Sequence, residues 1–206
     1  MIEELIKSAI KKIGKRHYEV GNPVTRVINR EVYDLNYSKD KTEPENNFVN
    51  YLVAYILVEL DKKDITEIEN STIFPQAQLY KKLVNKAENK QLISDFKISN
   101  GLYPDLVFHK DQDDNRPENQ KIAIECKIDK NLTYDEFSRD FAKLIVYISE
   151  INFQKSIYII ANMPESIIIE YLRRFKLKYN GFTEQLNKME IWVKNADEDL
   201  IIINCS

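Results

Sequence analysis

Two short runs, residues 105–109 and 122–128, constrain what this chain can fold into more than anything else in it. The first reads Asp-Leu-Val-Phe-His behind a proline; the second alternates, Ile-Ala-Ile-Glu-Cys-Lys-Ile. Both have the length and pattern of strands. Side chains two residues apart along a strand share a face. Ala123, Glu125 and Lys127 therefore fall on one face. Ile122, Ile124, Cys126 and Ile128 fall on the other, which reads as core. Pro104 can open a strand but not sit inside one, so Asp105 stands at a strand start. If the two runs pair as a hairpin across the polar residues 110–121, Asp105 comes close to Glu125. Two carboxylates and an ammonium at one edge of a sheet suit a divalent cation and a phosphodiester.

Around these runs the pattern is mostly helical. Ile2, Leu5, Ile6, Ala9, Ile10 and Ile13 recur at helical spacing, and Gly14 supplies a stop. Residues 15–41 are mixed and polar, with room for a short helix near 24–31. A helix is expected from Thr42 to about residue 62. Thr42 and Glu45 stand in capping-box relation, and Pro44 suits the first turn. Residues 65–74 read as loop with room for a short strand. Residues 76–89 carry helical spacing through Leu79, Leu83, Val84 and Ala87, and 92–98 reads as a strand. Residues 133–151 are a strong amphipathic helix with a second capping box, Thr133 and Glu136. Then come a buried strand at 156–162, a helix at 164–179, and a terminal hairpin of 189–194 with 200–204. The expected meander is 92–98, 105–109 and 122–128, with 156–162 joining the same sheet. The fold class is α/β, a mixed sheet flanked by helices.

A chain of 206 residues is long enough for one domain with a substantial core. No apolar run reaches the length of a membrane span, and residues 1–14 are charged rather than signal-like. Cys126 and Cys205 make no disulfide framework. A cytoplasmic protein without a membrane partner is the expectation. The net charge of −3 argues against a strong nonspecific grip on nucleic acid, though not against a local basic groove.

The chemistry follows from the residue types. Mg²⁺ takes oxygen ligands, usually one or two carboxylates plus water and substrate phosphate. Asp105 and Glu125 would supply carboxylates, and the backbone carbonyl of Cys126 a third ligand, with Mn²⁺ as a substitute ion. Lys127, on the face of Glu125, would orient the attacking water or stabilise the transition state. The rival reading of Glu125 and Lys127 is an exposed charge pair. In the helix that follows, Arg139 and Lys143 lie one turn apart, either approaching a phosphate or on a solvated face. Arg173, Arg174, Lys176 and Lys178 suit a helix C-terminus, or a nucleic-acid backbone. His17 and His109 form no nucleophile arrangement.

Pro104-Asp105 followed by Glu125-Cys126-Lys127 resembles the signature of the PD-(D/E)xK nuclease superfamily, over about residues 42–162. The resemblance implies a restriction-endonuclease-like core of helix, three antiparallel strands, helix and a further strand. It implies a Mg²⁺-dependent endonuclease, a hydrolase of phosphodiester bonds with DNA as its partner. Asp105, Glu125 and Lys127 become the catalytic residues. Many members add an acid near the start of the first helix, here Glu45, with Glu43 as rival. On that reading residues 1–206 form a single nuclease-like domain with additions at 1–41 and 163–206. A homodimer would suit double-strand cleavage. The alternative is a noncatalytic nuclease-like domain that binds nucleic acid or a protein partner.

Overall fold

The computed structural model describes residues 1–14, 23–28, 31–37, 44–62, 74–77, 80–84, 86–99, 101–110, 116–195 and 198–206. Helix α1 (Ile2–Lys12) packs on α2 (Pro44–Lys62), and a hairpin of β1 (Pro23–Ile28) and β2 (Glu31–Tyr37) lies against α2. Next come β3 (Phe74–Ala77), β4 (Lys81–Lys82), α3 (Lys90–Asp95), β5 (Gly101–Leu102) and β6 (Leu106–His109). The remaining elements are β7 (Gln120–Ile128), α4 (Tyr134–Ile151), β8 (Lys155–Ala161), α5 (Glu165–Lys178), α6 (Thr183–Leu186), β9 (Met189–Lys194) and β10 (Ile201–Asn204).

One six-stranded sheet runs β10-β9-β8-β7-β6-β3. It is mixed: β8 is parallel to β7 and β9, and every other pair is antiparallel. Helices cover both faces. Ala123, Val107, Tyr158 and Ile160 pack with Phe137, Phe141 and Ile145 of α4 and Phe175 of α5. Ile122, Ile124, Cys126 and Trp192 pack with Ile6 and Ile10 of α1 and Phe48 and Leu52 of α2. Both faces of β7 are thus core, so its alternation separates two interiors rather than an interior from solvent. Each large apolar side chain buried there contributes about 1.5–3 kcal/mol, which is why the central strand holds polar side chains in dry surroundings.

The sheet holds 122–128, 105–109 and 156–162 as expected, and the terminal hairpin extends it. The third antiparallel strand differs. It is β3, not residues 92–98, which form α3. Leu92 and Phe96 are one helical turn apart, Gln91 and Asp95 hydrogen-bond across the same interval, and Lys97 ends the turn at φ 51°. Residues 76–89 are not a helix either. Their described residues include the end of β3, β4 and a 3₁₀ turn (Ala87–Asn89). Leu83 is buried while its neighbour Val84 is 60% exposed, the alternation of an extended chain rather than a shared helix face. Of residues 24–31, those described, 24–28 and Glu31, belong to the β1–β2 hairpin rather than a helix. Thr42 and Glu43 lie outside the described residues, as does most of 65–74.

Thr133 caps α4 as its sequence implies. Its hydroxyl accepts from the Glu136 N–H, and the Glu136 carboxylate accepts from the Thr133 N–H at 3.0 Å. The start of α4 is thereby fixed relative to the end of β7. That sets which α4 side chains reach Glu125.

Candidate active site

Leu106 pairs with Ile124 and Val107 with Ala123, so the antiparallel register places Asp105 across from Glu125. Asp105 is tied to the neighbouring strand one residue on: the Cys126 N–H donates to Asp105 Oδ2 at 2.8 Å. Asp105 thus satisfies the backbone of the strand that carries the second carboxylate. Glu125 is 4% exposed, under α4. The Tyr147 hydroxyl donates to its Oε1 at 2.5 Å, and the Lys143 ammonium lies 3.7 Å from its Oε2. Lys143 is also 2.7 Å from Asp140 Oδ1, whose other oxygen accepts from Tyr158 at 3.3 Å. At the end of the same strand the Lys127 ammonium meets Glu45 Oε1 of α2 at 2.7 Å.

The electrostatics match that geometry. Burial pushes the Asp105 carboxyl up to about 6, against the pull of the Cys126 N–H and the Lys143 ammonium; the charges of Glu45 and Asp140 add to the rise. Burial, and then the charge of Asp105, hold Glu125 well above the usual carboxylate range, while Lys143 and the Tyr147 hydroxyl oppose them. Burial would depress Lys143, but Glu125, Asp140 and Asp105 together outweigh it and keep it cationic. The same contest at Lys127 is won by Glu45, and its ammonium is also held up. This is a cluster of repelling, poorly hydrated carboxylates with too little positive charge to settle them.

Asp105 and Glu125 therefore stand across from each other on β6 and β7, the charge of Asp105 acts on Glu125, and Glu45 lies close enough to act on Asp105. The partnering of the lysines differs. Lys127 shares a strand face with Glu125, but its ammonium turns to Glu45 at the sheet's end. The cation beside Glu125 is Lys143, which the sequence allowed on a solvated face. Arg139 is the exposed one of that pair. Tyr147 and Tyr158 were missed, whereas Asp140 stands one turn from Lys143 in the sequence and pairs with it. Asp140, Lys143 and Tyr147 follow i, i+3, i+7 and so share one helix stripe; polar residues along the buried side of an amphipathic helix were the available signal. Cys126 contributes its N–H, and its thiol is buried and pushed up by that burial. His109 is buried at the far end of β6, and His17 lies outside the described residues. In the basic cluster of α5, Arg173 is paired with Glu170 and Arg174 stacks on Tyr134.

Among the described residues, no group of three or more His, Cys, Asp and Glu side chains is gathered for a metal ion. Two carboxylates suffice for Mg²⁺ when backbone, water and phosphate oxygens complete the shell. The oxygen-only donors and the raised carboxyls of Asp105 and Glu125 fit a hard divalent cation.

The Tyr147 hydroxyl can be weighed on its own. Tyr147→Phe leaves the ring in place and removes a buried donor, so it is expected to lower stability at pH 8 by about 1–3 kcal/mol. The urea midpoint measures this; an unchanged midpoint would mean that water replaces the hydroxyl.

The chain matches no family model, no curated protein and no solved structure.

Proposed function

We propose that the protein is a metal-dependent nuclease that hydrolyses phosphodiester bonds in DNA, built on a restriction-endonuclease-like core. The observation that carries the reading is the juxtaposition of Asp105 and Glu125 across two adjacent strands, with Lys127 and Glu45 at the same end of the sheet. The order α2, antiparallel β3, β6 and β7, α4, then β8 supports it, because it is the order the PD-(D/E)xK resemblance implies.

On this reading Asp105 and Glu125, with the Cys126 carbonyl, would hold Mg²⁺ or Mn²⁺. A cation held there would supply charge neutralisation at a phosphoryl oxygen and acidify water. The chain's own residues do the rest. The Cys126 N–H fixes one oxygen of Asp105 and leaves the other available. Tyr147 and Lys143 orient Glu125 from the α4 side. Lys127 can leave Glu45 for a phosphate oxygen or the attacking water, since the pair is partly exposed and a phosphate offers the ammonium an equivalent charged partner. Glu45 steadies Lys127 while the site is free.

Incubation of supercoiled plasmid and single-stranded DNA with Mg²⁺, Mn²⁺, Co²⁺ or EDTA tests the proposal. Cleavage is expected with Mg²⁺ or Mn²⁺, and none in EDTA or with Glu125→Gln. If no DNA or RNA form is cut with any of the metals, a noncatalytic nuclease-like domain becomes the better account.

A further inference from the structure

Two exposed tyrosines stand close to Asp105, the first carboxylate of the site, one in the chain and the other in the register of a ribbon. β4 and β5 form a two-stranded ribbon in which Lys81 pairs with Leu102 and Lys82 with Gly101. One step further along this register stand Tyr80 and Tyr103. Their ring centroids are 5.2 Å apart, and they are 49% and 60% exposed. The ribbon is anchored from beneath: Leu83 and Leu102 are buried, and Lys81 lies over the Phe153 ring. Alternation then turns Tyr80 and Lys82 to the open face. The outward side of the ribbon carries two aromatic rings, an exposed ammonium and a glycine. Tyr103 is two residues before Asp105, roughly 7 Å along an extended chain.

We propose that Tyr80 and Tyr103 form a base-stacking platform that seats an unpaired DNA strand next to Asp105 and Glu125. The rings supply π-faces that every base can use, and stacking on them requires a base out of its duplex. The charge is of the right sign. Residues 80–97 hold five lysines against two acids, Glu88 and Asp95, in a chain whose net charge is −3. Lys82, Lys90 and Lys97 are exposed, while Asp95 accepts hydrogen bonds from Gln91 and Tyr179. A cross-strand aromatic pair also stabilises its own ribbon, and that role alone would need no neighbouring cation.

The platform deepens the nuclease reading by naming the strand form the site takes, and it rests on that reading for its purpose. Binding can therefore be measured without cleavage. The probes are a fluorescein-labelled DNA single strand of about 12 nucleotides, within the usual span of such sites, and a blunt duplex of the same sequence. Anisotropy is read in EDTA. The wild type is expected to prefer the single strand. Tyr80→Leu/Tyr103→Leu keeps apolar side chains on the ribbon and should weaken single-strand binding roughly tenfold or more, with duplex binding little changed. Tyr103→Trp should restore stacking in a Tyr80→Leu background, with its emission quenched as the strand is added. Equal affinity of the wild type and the double leucine variant overturns the platform. So does a wild type without strand preference, or one that binds neither probe. If the strand binds as expected but no metal supports cleavage, the nuclease reading fails and the platform stands. If cleavage occurs while the leucine variant binds normally, the reverse holds.

Discussion

Lys127→Ala is expected to reduce single-turnover DNA cleavage on the order of a hundredfold or more while the protein stays folded. Its ammonium is bound to Glu45 in a partly exposed ion pair at the end of the sheet, with side chains 20% and 29% exposed. Loss of a partly exposed ion pair costs on the order of 1 kcal/mol, so the melting temperature should fall by no more than about a few degrees. The proposed work of Lys127, aligning water and meeting developing phosphoryl charge, belongs to the transition state. Turnover should therefore fall far more than substrate affinity. The comparison that gives this result its meaning is Lys143→Ala. Lys143 sits among Glu125, Asp140 and Asp105, and its removal leaves those carboxylates less compensated. Lys143→Ala should thus change stability, pH profile and metal affinity together, whereas Lys127→Ala changes chiefly the rate. Rapid-quench kinetics at saturating enzyme and Mg²⁺ measure the rate. A Lys127→Ala protein that cleaves at the wild-type rate would remove Lys127 from the chemistry and leave it as the partner of Glu45.

The contrast between the two lysines also marks how far the sequence could be read. The alternation of 122–128 fixed which side chains share a face, and the register of β6 and β7 follows from it. The Thr133–Glu136 box located the start of α4. These are local signals, each written in a few adjacent residues. The edge strand β3 was not legible in that way. It is short, it contains Pro75, and its place beside β6 comes from pairing across a long stretch of chain. A proline is tolerated at a sheet edge, where a missing N–H faces no neighbour, but it conceals the strand. Residues 92–98 were misread for a related reason: Leu92 and Phe96, four apart, fit both periods, Ile98 extends only the strand pattern, and tertiary packing decided for helix. Lys127's partner was hidden too. A side-chain face is set by the strand, but four methylenes let an ammonium pass around the end of a sheet to an acid on the opposite helix. The inward turn of Lys143 depended on a buried carboxylate that only the assembled sheet and helix create.

Asp105→Asn is expected to make the protein more stable at neutral pH in the absence of metal. The Asp105 carboxyl has an ordinary value of 3.8 and is raised to about 6 in the fold, chiefly by burial. Between those values the folded state holds a proton that the unfolded chain releases, so stability falls as pH rises. The contribution is fully present below pH 3.8 and is lost as pH passes through about 6. The loss at pH 8 is on the order of 2–3 kcal/mol for a shift of this size. Asparagine keeps an oxygen to accept from the Cys126 N–H and carries no charge, so the variant escapes that loss. It also relieves Glu125, whose own carboxyl is raised in part by the Asp105 charge. In EDTA, denaturant titrations from pH 4 to 8 should show a declining wild-type stability and a flatter curve for Asp105→Asn, crossing so that the variant is ahead at pH 8. Adding Mg²⁺ should then reverse the order. An ion that binds only the folded wild type stabilises it by RT ln(1 + [Mg²⁺]/Kd), about 1.4 kcal/mol at ten times Kd, and the variant should gain little. A variant less stable than wild type at pH 8 in EDTA would mean that the negative charge of Asp105 is already compensated in the fold. Equal Mg²⁺ stabilisation of both proteins would take Asp105 out of the metal site. Stability gained by neutralising a carboxylate, and returned to the wild type by a divalent cation, would mean that Asp105 is kept charged at a cost to folding for the sake of the ion.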